Sequence, residues 1–251
     1  MKKILLIGIL GLVGISFIPP KKTLCIYLAG DSTMADKKVN AYPETGWGTP
    51  FKNFFDSTVT LSNKAQNGRS TRTFITDGLW QSITDNLQSD DYVLIQFGHN
   101  DEVPTKKSAT TEEEFKKNLV LFITQVRDKK ANPVLITPVA RRSFDNAGII
   151  QDTHAKYAEI VRQTAKENGV PFIDLDKEST TLLQQLGPEQ SKWFFNHLAP
   201  GENPNYPDGK ADDTHFNELG ARRMAEIVLA DLRKISPELN NRVVTSAMGA
   251  K

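Results

Sequence analysis

Short apolar runs alternate along this chain with amphipathic stretches. Residues 23–29, 58–65, 92–97, 133–138 and 171–175 are compact apolar segments and read as strands. Between them, residues 111–130 set Phe115, Leu119, Phe122, Ile123 and Val126 on one helical face, and Thr111 through Glu114 forms a capping pattern. Residues 154–168 and 218–235 have the same amphipathic character. Strand and helix in strict alternation predict a mostly parallel five-stranded sheet covered on both faces: a three-layer α/β/α sandwich of flavodoxin-like type. Ligands of such sheets gather at the carboxyl ends of the strands. Residues 23–236 are expected to form one domain, with residues 237–251 as a loose tail.

Those strand ends carry the candidate chemistry. Gly30-Asp31-Ser32-Thr33-Met34 directly follows the first apolar run. The reading places Ser32 where a strand hands over to a helix, beside orphan N–H groups that favour a developing negative oxygen. Ser32 is therefore a candidate nucleophile, although serine and aspartate also serve as helix caps. Asp212-Asp213-Thr214-His215 precedes the last helix in a segment punctuated by Gly201, Pro204, Pro207 and Gly209, read as a loop. From it His215 is suited to act as general base and Asp212 to hold the other ring nitrogen, with Asp208 and Asp213 as rivals for that role. The Gly68 N–H, the Ser32 N–H and the Asn100 side-chain amide are candidate oxyanion donors. Asn67-Gly68 and Asn100-Asp101 are equally good turn sequences when taken alone.

Gly30-Asp31-Ser32, Gly68, Gly98-His99-Asn100-Asp101 and Asp212 with His215, in this order, resemble the four blocks of the SGNH (GDSL-like) hydrolase superfamily. Gly46-Trp47-Gly48, Asn67-Gly68-Arg69-Ser70-Thr71-Arg72, Thr137-Pro138-Val139-Ala140-Arg141-Arg142 and Asp213-Thr214-His215-Phe216 are similar to stretches of the rhamnogalacturonan acetylesterases and their bacterial pectin-acetylesterase relatives. The likeness spans about residues 23–232. The first block reads Gly-Asp-Ser-Thr where many members have Gly-Asp-Ser-Leu. The resemblance implies a cofactor-free serine esterase acting on an acetylated polysaccharide, with Ser32 as nucleophile, Asp212 and His215 as its partners, and Gly68 and Asn100 in the oxyanion hole. The same machinery serves acetylated xylan, lipid or thioester substrates, and a catalytically dead glycan-binding protein is a further alternative.

Composition narrows the partners. A net charge of +1 over 251 residues, without a long basic run, argues against nucleic acid and anionic membrane surfaces. A monomer is expected. Cys25, the single cysteine, lies within the first strand and reads as a small core residue. Lys2 and Lys3 ahead of the apolar residues 4–18 read as a signal peptide or uncleaved anchor over residues 1–20, so export to the periplasm or medium is expected. His99, His154 and His197 with Asp208, Asp212 and Asp213 lack the spacing of a zinc site, and no metal is expected. His154 is expected at the surface, His99 near the cleft and His197 at a core edge, while Trp47 is either core or the wall of an acyl pocket. Arg69, Arg72, Arg141 and Arg142 follow strands on the site's face; the first three are expected to contact a uronate carboxylate.

Overall fold

A computed structural model describes residues 22–244; the expected leader and residues 245–251 of the expected tail lie outside them. In chain order the elements are β1 (Leu24–Gly30), α1 (Gly48–Phe51), β2 (Val59–Asn63), α2 (Thr71–Thr76), α3 (Leu79–Thr84), β3 (Tyr92–Gln96), α4 (Glu112–Asp128), β4 (Asn132–Ile136), α5 (Ala155–Glu167), β5 (Phe172–Ile173), α6 (Leu175–Gln190), β6 (Phe195–Leu198), β7 (Lys210–Phe216), α7 (Glu218–Ile235) and α8 (Pro237–Asn240). The main sheet has the order β2-β1-β3-β4-β5 with every pair parallel, while β6 and β7 form a separate antiparallel pair. This is the expected three-layer sandwich.

Successive strand side chains point to opposite faces, and both faces are buried. Ile26 and Leu28 of β1 pack with Phe51 of α1 and Met224, Val228 and Leu232 of α7. Tyr27 and Ala29 pack instead with Phe74 of α2 and Phe115, Phe122 and Val126 of α4. The helices begin where their side chains allow it: Thr111 accepts from the Glu114 N–H at the start of α4, and Asn217 accepts from the Gly220 N–H at the start of α7.

One expectation changes, and two elements are added. Residues 237–244 are no loose tail: Leu239 of α8 is buried, Val243 bridges to Phe55, and the buried Arg242 donates to the Lys22 carbonyl at 2.7 Å. Apolar contact and a satisfied guanidinium hold the segment down. The hairpin β6–β7 and the helix α6 were not legible as elements. The hairpin has no clean alternation, since Lys210, Asp212 and His215 occupy β7 for reasons other than packing.

Candidate active site

The parallel register brings the ends of β1, β2 and β3 level. Leu28 pairs with Asn63 on one side and Leu94 on the other, and Gly30 is opposite Gln96. The segments bearing Ser32, Gly68 and Asn100 therefore leave the sheet side by side. Contrary to the sequence reading, Ser32 does not open a helix; it sits in a turn in which the Ala35 N–H donates to the Asp31 carbonyl at 3.1 Å. This removes both the helix-cap reading and the helix-dipole argument. What fixes the turn is a buried chain of hydrogen bonds. Trp47 donates to Gln96 Oε1 at 2.8 Å, Gln96 Nε2 donates to Thr33 Oγ1 at 2.6 Å, and Thr33 donates through both its N–H (2.9 Å) and its hydroxyl (2.8 Å) to Asp31 Oδ1. Trp47 is thus core beneath the turn rather than an acyl-pocket wall. Burial pushes the Asp31 carboxyl up, opposed by the Thr33 donors.

The partners of Ser32 come from β7. Phe216 pairs with Phe195 and Asp212 with Asn196, so one step on β6 faces four on β7 and residues 213–215 bulge out. The expected loop is a bulged strand. Asp212 Oδ1 accepts from the Thr214 and His215 N–H groups, both at 2.9 Å, which ties the bulge to its own carboxylate. His215 Nδ1 lies 2.9 Å from Asp212 Oδ2, and His215 Nε2 lies 2.9 Å from Ser32 Oγ. Burial alone would raise the Asp212 carboxyl, but the hydrogen bonds and charge of His215 and the two backbone donors outweigh it and hold it well below the usual carboxylate range. Of the rival acids, Asp213 Oδ1 pairs with Arg142 at 2.6 Å and His197 Nε2 at 2.8 Å, and Asp208 is exposed.

Gly68 has φ +76°, a left-handed conformation that favours glycine, in a turn where the Arg69 N–H donates to the Gln66 carbonyl at 3.3 Å. Asn100 is 4 % exposed; its Nδ2 donates to the Arg69 carbonyl at 3.0 Å, which links the second and third strand ends. Asp101 beside it accepts from the Thr71 N–H at 3.0 Å and from the Thr71 and Thr110 hydroxyls at 2.6 and 3.1 Å; burial nonetheless pushes its carboxyl up to about 7.

The arginines are distributed differently from the expectation. Arg72 is clamped on Glu114, with Nε 2.6 Å from Oε1 and a second contact from Nη2. Arg69 Nε lies 2.9 Å from Asp77, and neither residue lines the cleft that contains Ser32. Arg72 is thus taken up by Glu114 of α4, while Arg69 is paired by charge with Asp77 at the end of α2 and donates from Nη1 to the Asn67 carbonyl at 3.1 Å. Arg141 does line the cleft, held by Glu102 at 2.6 Å. His154 is buried, not at the surface: its Nδ1 lies 2.9 Å from Glu102 Oε2 and its ring meets His99 edge-on at 4.4 Å. Burial, followed by the charges of His154 and Arg141, holds His99 well below the ordinary histidine range, so a neutral ring underlies the cleft. His197 is taken up by Asp213. Among the described residues, the trio that brings possible metal-ligand atoms together is Glu44, Asp212 and His215, and both ring nitrogens of His215 are already engaged within the site.

The cleft has a volume of ≈ 480 Å³ and is polar, with Lys106, Lys210 and Glu44 beside the expected residues. Glu44 and Lys106 lie in irregular segments and Lys210 opens β7, and no pattern in the sequence marks them. A serine hydroxyl, an imidazole and an ionised carboxylate in line, facing amide donors, form an arrangement that transfers a proton from the hydroxyl as it attacks a carbonyl.

Comparisons with known proteins agree with that geometry. The chain is 40% identical over 227 residues to the rhamnogalacturonan acetylesterase RhgT of Bacillus subtilis, covering 90% of this chain and 96% of that protein. It is 27% identical over 240 residues to a rhamnogalacturonan acetylesterase of Emericella nidulans, covering 88% of this chain and 89% of that one. The crystal structure of the Bacillus subtilis protein YxiM superimposes with a TM-score of 0.74 at 28% identity, covering 88% of this chain and 59% of that chain. Residues 28–223 match the GDSL-like lipase/acylhydrolase family model, a span that takes in all three strand ends and the hairpin; this chain belongs to that family.

Proposed function

We propose that the protein is a serine esterase that removes O-acetyl groups from a plant cell-wall polysaccharide, with pectic rhamnogalacturonan as its substrate. The observation that carries this is the hydrogen-bonded line Ser32 Oγ, His215 Nε2, His215 Nδ1, Asp212 Oδ2, with 2.9 Å at each contact between side chains. In the proposed reaction Ser32 Oγ attacks the acetyl carbonyl and its proton passes to His215 Nε2, while Asp212 fixes the ring and stabilises the imidazolium. The Ser32 and Gly68 N–H groups and Asn100 Nδ2 receive the oxyanion. As the tetrahedral species collapses, His215 returns the proton to the departing sugar oxygen, leaving acetyl-Ser32. A water molecule, deprotonated by His215, then attacks the acyl carbonyl, and acetate leaves as the proton returns to Ser32.

The substrate class is supported by the 40% identity to the Bacillus rhamnogalacturonan acetylesterase and by a polar, open cleft that suits a sugar better than a long acyl chain. Export through the segment containing Lys2, Lys3 and residues 4–18 belongs to the same reading, since the polymer lies outside the cell. Acetate release should be measured side by side on acetylated rhamnogalacturonan, homogalacturonan and xylan. Fastest release from rhamnogalacturonan supports the reading; fastest release from xylan reassigns the substrate, and release from none removes the proposed activity.

A further inference from the structure

The loop after Asn100 holds a charged group to which the reaction just described gives no task. The chain leaves the site at Asp101 and returns at Thr110, whose N–H donates to the Asp101 carbonyl at 3.0 Å. Between them Lys106 turns back into the cleft and its ammonium donates to Asn100 Oδ1 at 2.8 Å. Other cations at or near the cleft face acids: Arg141 faces Glu102, Lys37 faces Glu44 at 2.8 Å, and Lys210 lies 3.7 Å from Asp212. Lys37 also donates to Asn67 Oδ1 at 2.7 Å, but Lys106, among the described residues, has a neutral amide in place of a carboxylate.

A carboxamide has two ends of similar size and opposite hydrogen-bonding character. The partners of Asn100 are a pure donor, the Lys106 ammonium, at its oxygen and a pure acceptor, the Arg69 carbonyl, at its nitrogen. Turning the amide over would set NH₂ against an ammonium and oxygen against a carbonyl, in a site where Asn100 is nearly sealed from water. The Arg69 carbonyl takes one Nδ2 hydrogen, and no second acceptor for that nitrogen lies among the described residues. We infer that Lys106 is a positioning residue, which holds the Asn100 carboxamide with its nitrogen toward the reacting carbonyl and, by its charge at the oxygen end, sharpens the N–H as a donor. This rests on the esterase reading above.

The test uses the full chain and a neutral aryl acetate, with Lys106→Met and Lys106→Arg made both in the parent and in an Asn100→Ala background. Asn100→Ala alone should lower kcat about 10² to 10³-fold. Lys106→Met should lower kcat about tenfold with KM nearly unchanged, because the lost orientation matters only once the oxyanion forms. Lys106→Arg should recover most of that loss. Beside Asn100→Ala, the added cost of Lys106→Met should fall below about twofold, since the group it positions is gone. An unchanged kcat, a loss carried by KM, or the same factor in both backgrounds would overturn the inference. So would a loss confined to acetylated uronate-containing polymer with aryl acetate unaffected, because Lys106 would then be a carboxylate receptor. A parent protein that hydrolyses no ester would instead remove the esterase reading itself.

Discussion

The cleft is assembled from two regions built on different principles. Its floor, with Ser32, Gly68 and Asn100, sits on the ends of three adjacent parallel strands whose register is set by buried side chains on both faces. Its opposite wall, with Asp212 and His215, is a bulged hairpin outside the main sheet. That hairpin is held by contacts between individual residues rather than by a ladder to the main sheet: the buried Phe195 and Phe216 rings at 5.0 Å, the Thr45 N–H donating to the Phe216 carbonyl and the Arg142 N–H to the Asp213 carbonyl, both at 2.8 Å, the close approach of Gly220 to the Phe194 backbone, and Asn205 and Tyr206 donating to carbonyls in residues 39–42. Position on the floor is thus a property of the whole core, whereas position on the wall depends on local geometry that a single residue can disturb.

Removing the nucleophile gives the largest effect and leaves this comparison intact. Ser32→Ala should fold normally yet retain only the residual ~10³ to 10⁴ over water that a site without its triad nucleophile supplies; substantial turnover in that variant would take Ser32 out of its role. On the wall, Asp212→Asn should lower kcat by about 10⁴, through loss of the correct tautomer and of imidazolium stabilisation. It also carries a pH signature. Because the folded state depresses the Asp212 carboxyl, its stabilisation is complete above its ordinary range near pH 4 and is lost as pH falls toward the folded value. The stability difference between parent and Asp212→Asn, followed by denaturant titration, should therefore shrink on acidification below about pH 4. A difference that stays constant with pH would mean that the carboxylate does not support the hairpin.

A backbone contact tests the wall's fragility more directly. A methyl group at position 220 would lie 1.9 Å from the Phe194 carbonyl oxygen, so α7 and the start of the hairpin must move apart. Gly220→Ala is expected to cost about 1–3 kcal/mol as an overpacked contact and to reduce turnover as well, since His215 shifts with the strand. Equal turnover with reduced stability would show that the hairpin tolerates displacement. The smallest effect is expected at Arg72→Met. Arg72 and Glu114 form a partly exposed pair that solvent screens, and losing it should leave stability nearly unchanged and aryl-acetate turnover unaltered. A selective loss on acetylated pectic polymer would show that Arg72 leaves Glu114 to meet substrate.

Much of the floor was readable because its causes are local. Apolar runs of strand length, each followed by Gly-Asp-Ser, Asn-Gly or Gly-His-Asn-Asp, fix both the sheet and the place where polar groups emerge. The wall was readable only as residue types. Asp212 and His215 stand out, yet their segment reads as a loop, because a bulged strand of charged residues carries neither period of hydrophobic burial. His154 reads as a surface residue because nothing beside it in the chain reveals Glu102 and His99, which meet it only after folding. Arg69 and Arg72 read as substrate contacts for the same reason, their acids Asp77 and Glu114 lying just after α2 and on α4.

Sequence by itself determined the layered α/β/α architecture, the order of the strands along the chain, and the serine, histidine and aspartate on which the chemistry rests, because hydrophobic period and motif order are properties of neighbouring residues. Tertiary structure alone decided the pairing of each charge. Whether a cation meets a carboxylate, a substrate or a carboxamide oxygen depends on distances of a few ångströms that folding sets, whether across the chain, as between Arg72 and Glu114, or around one irregular loop, as between Lys106 and Asn100, and no local pattern encodes them.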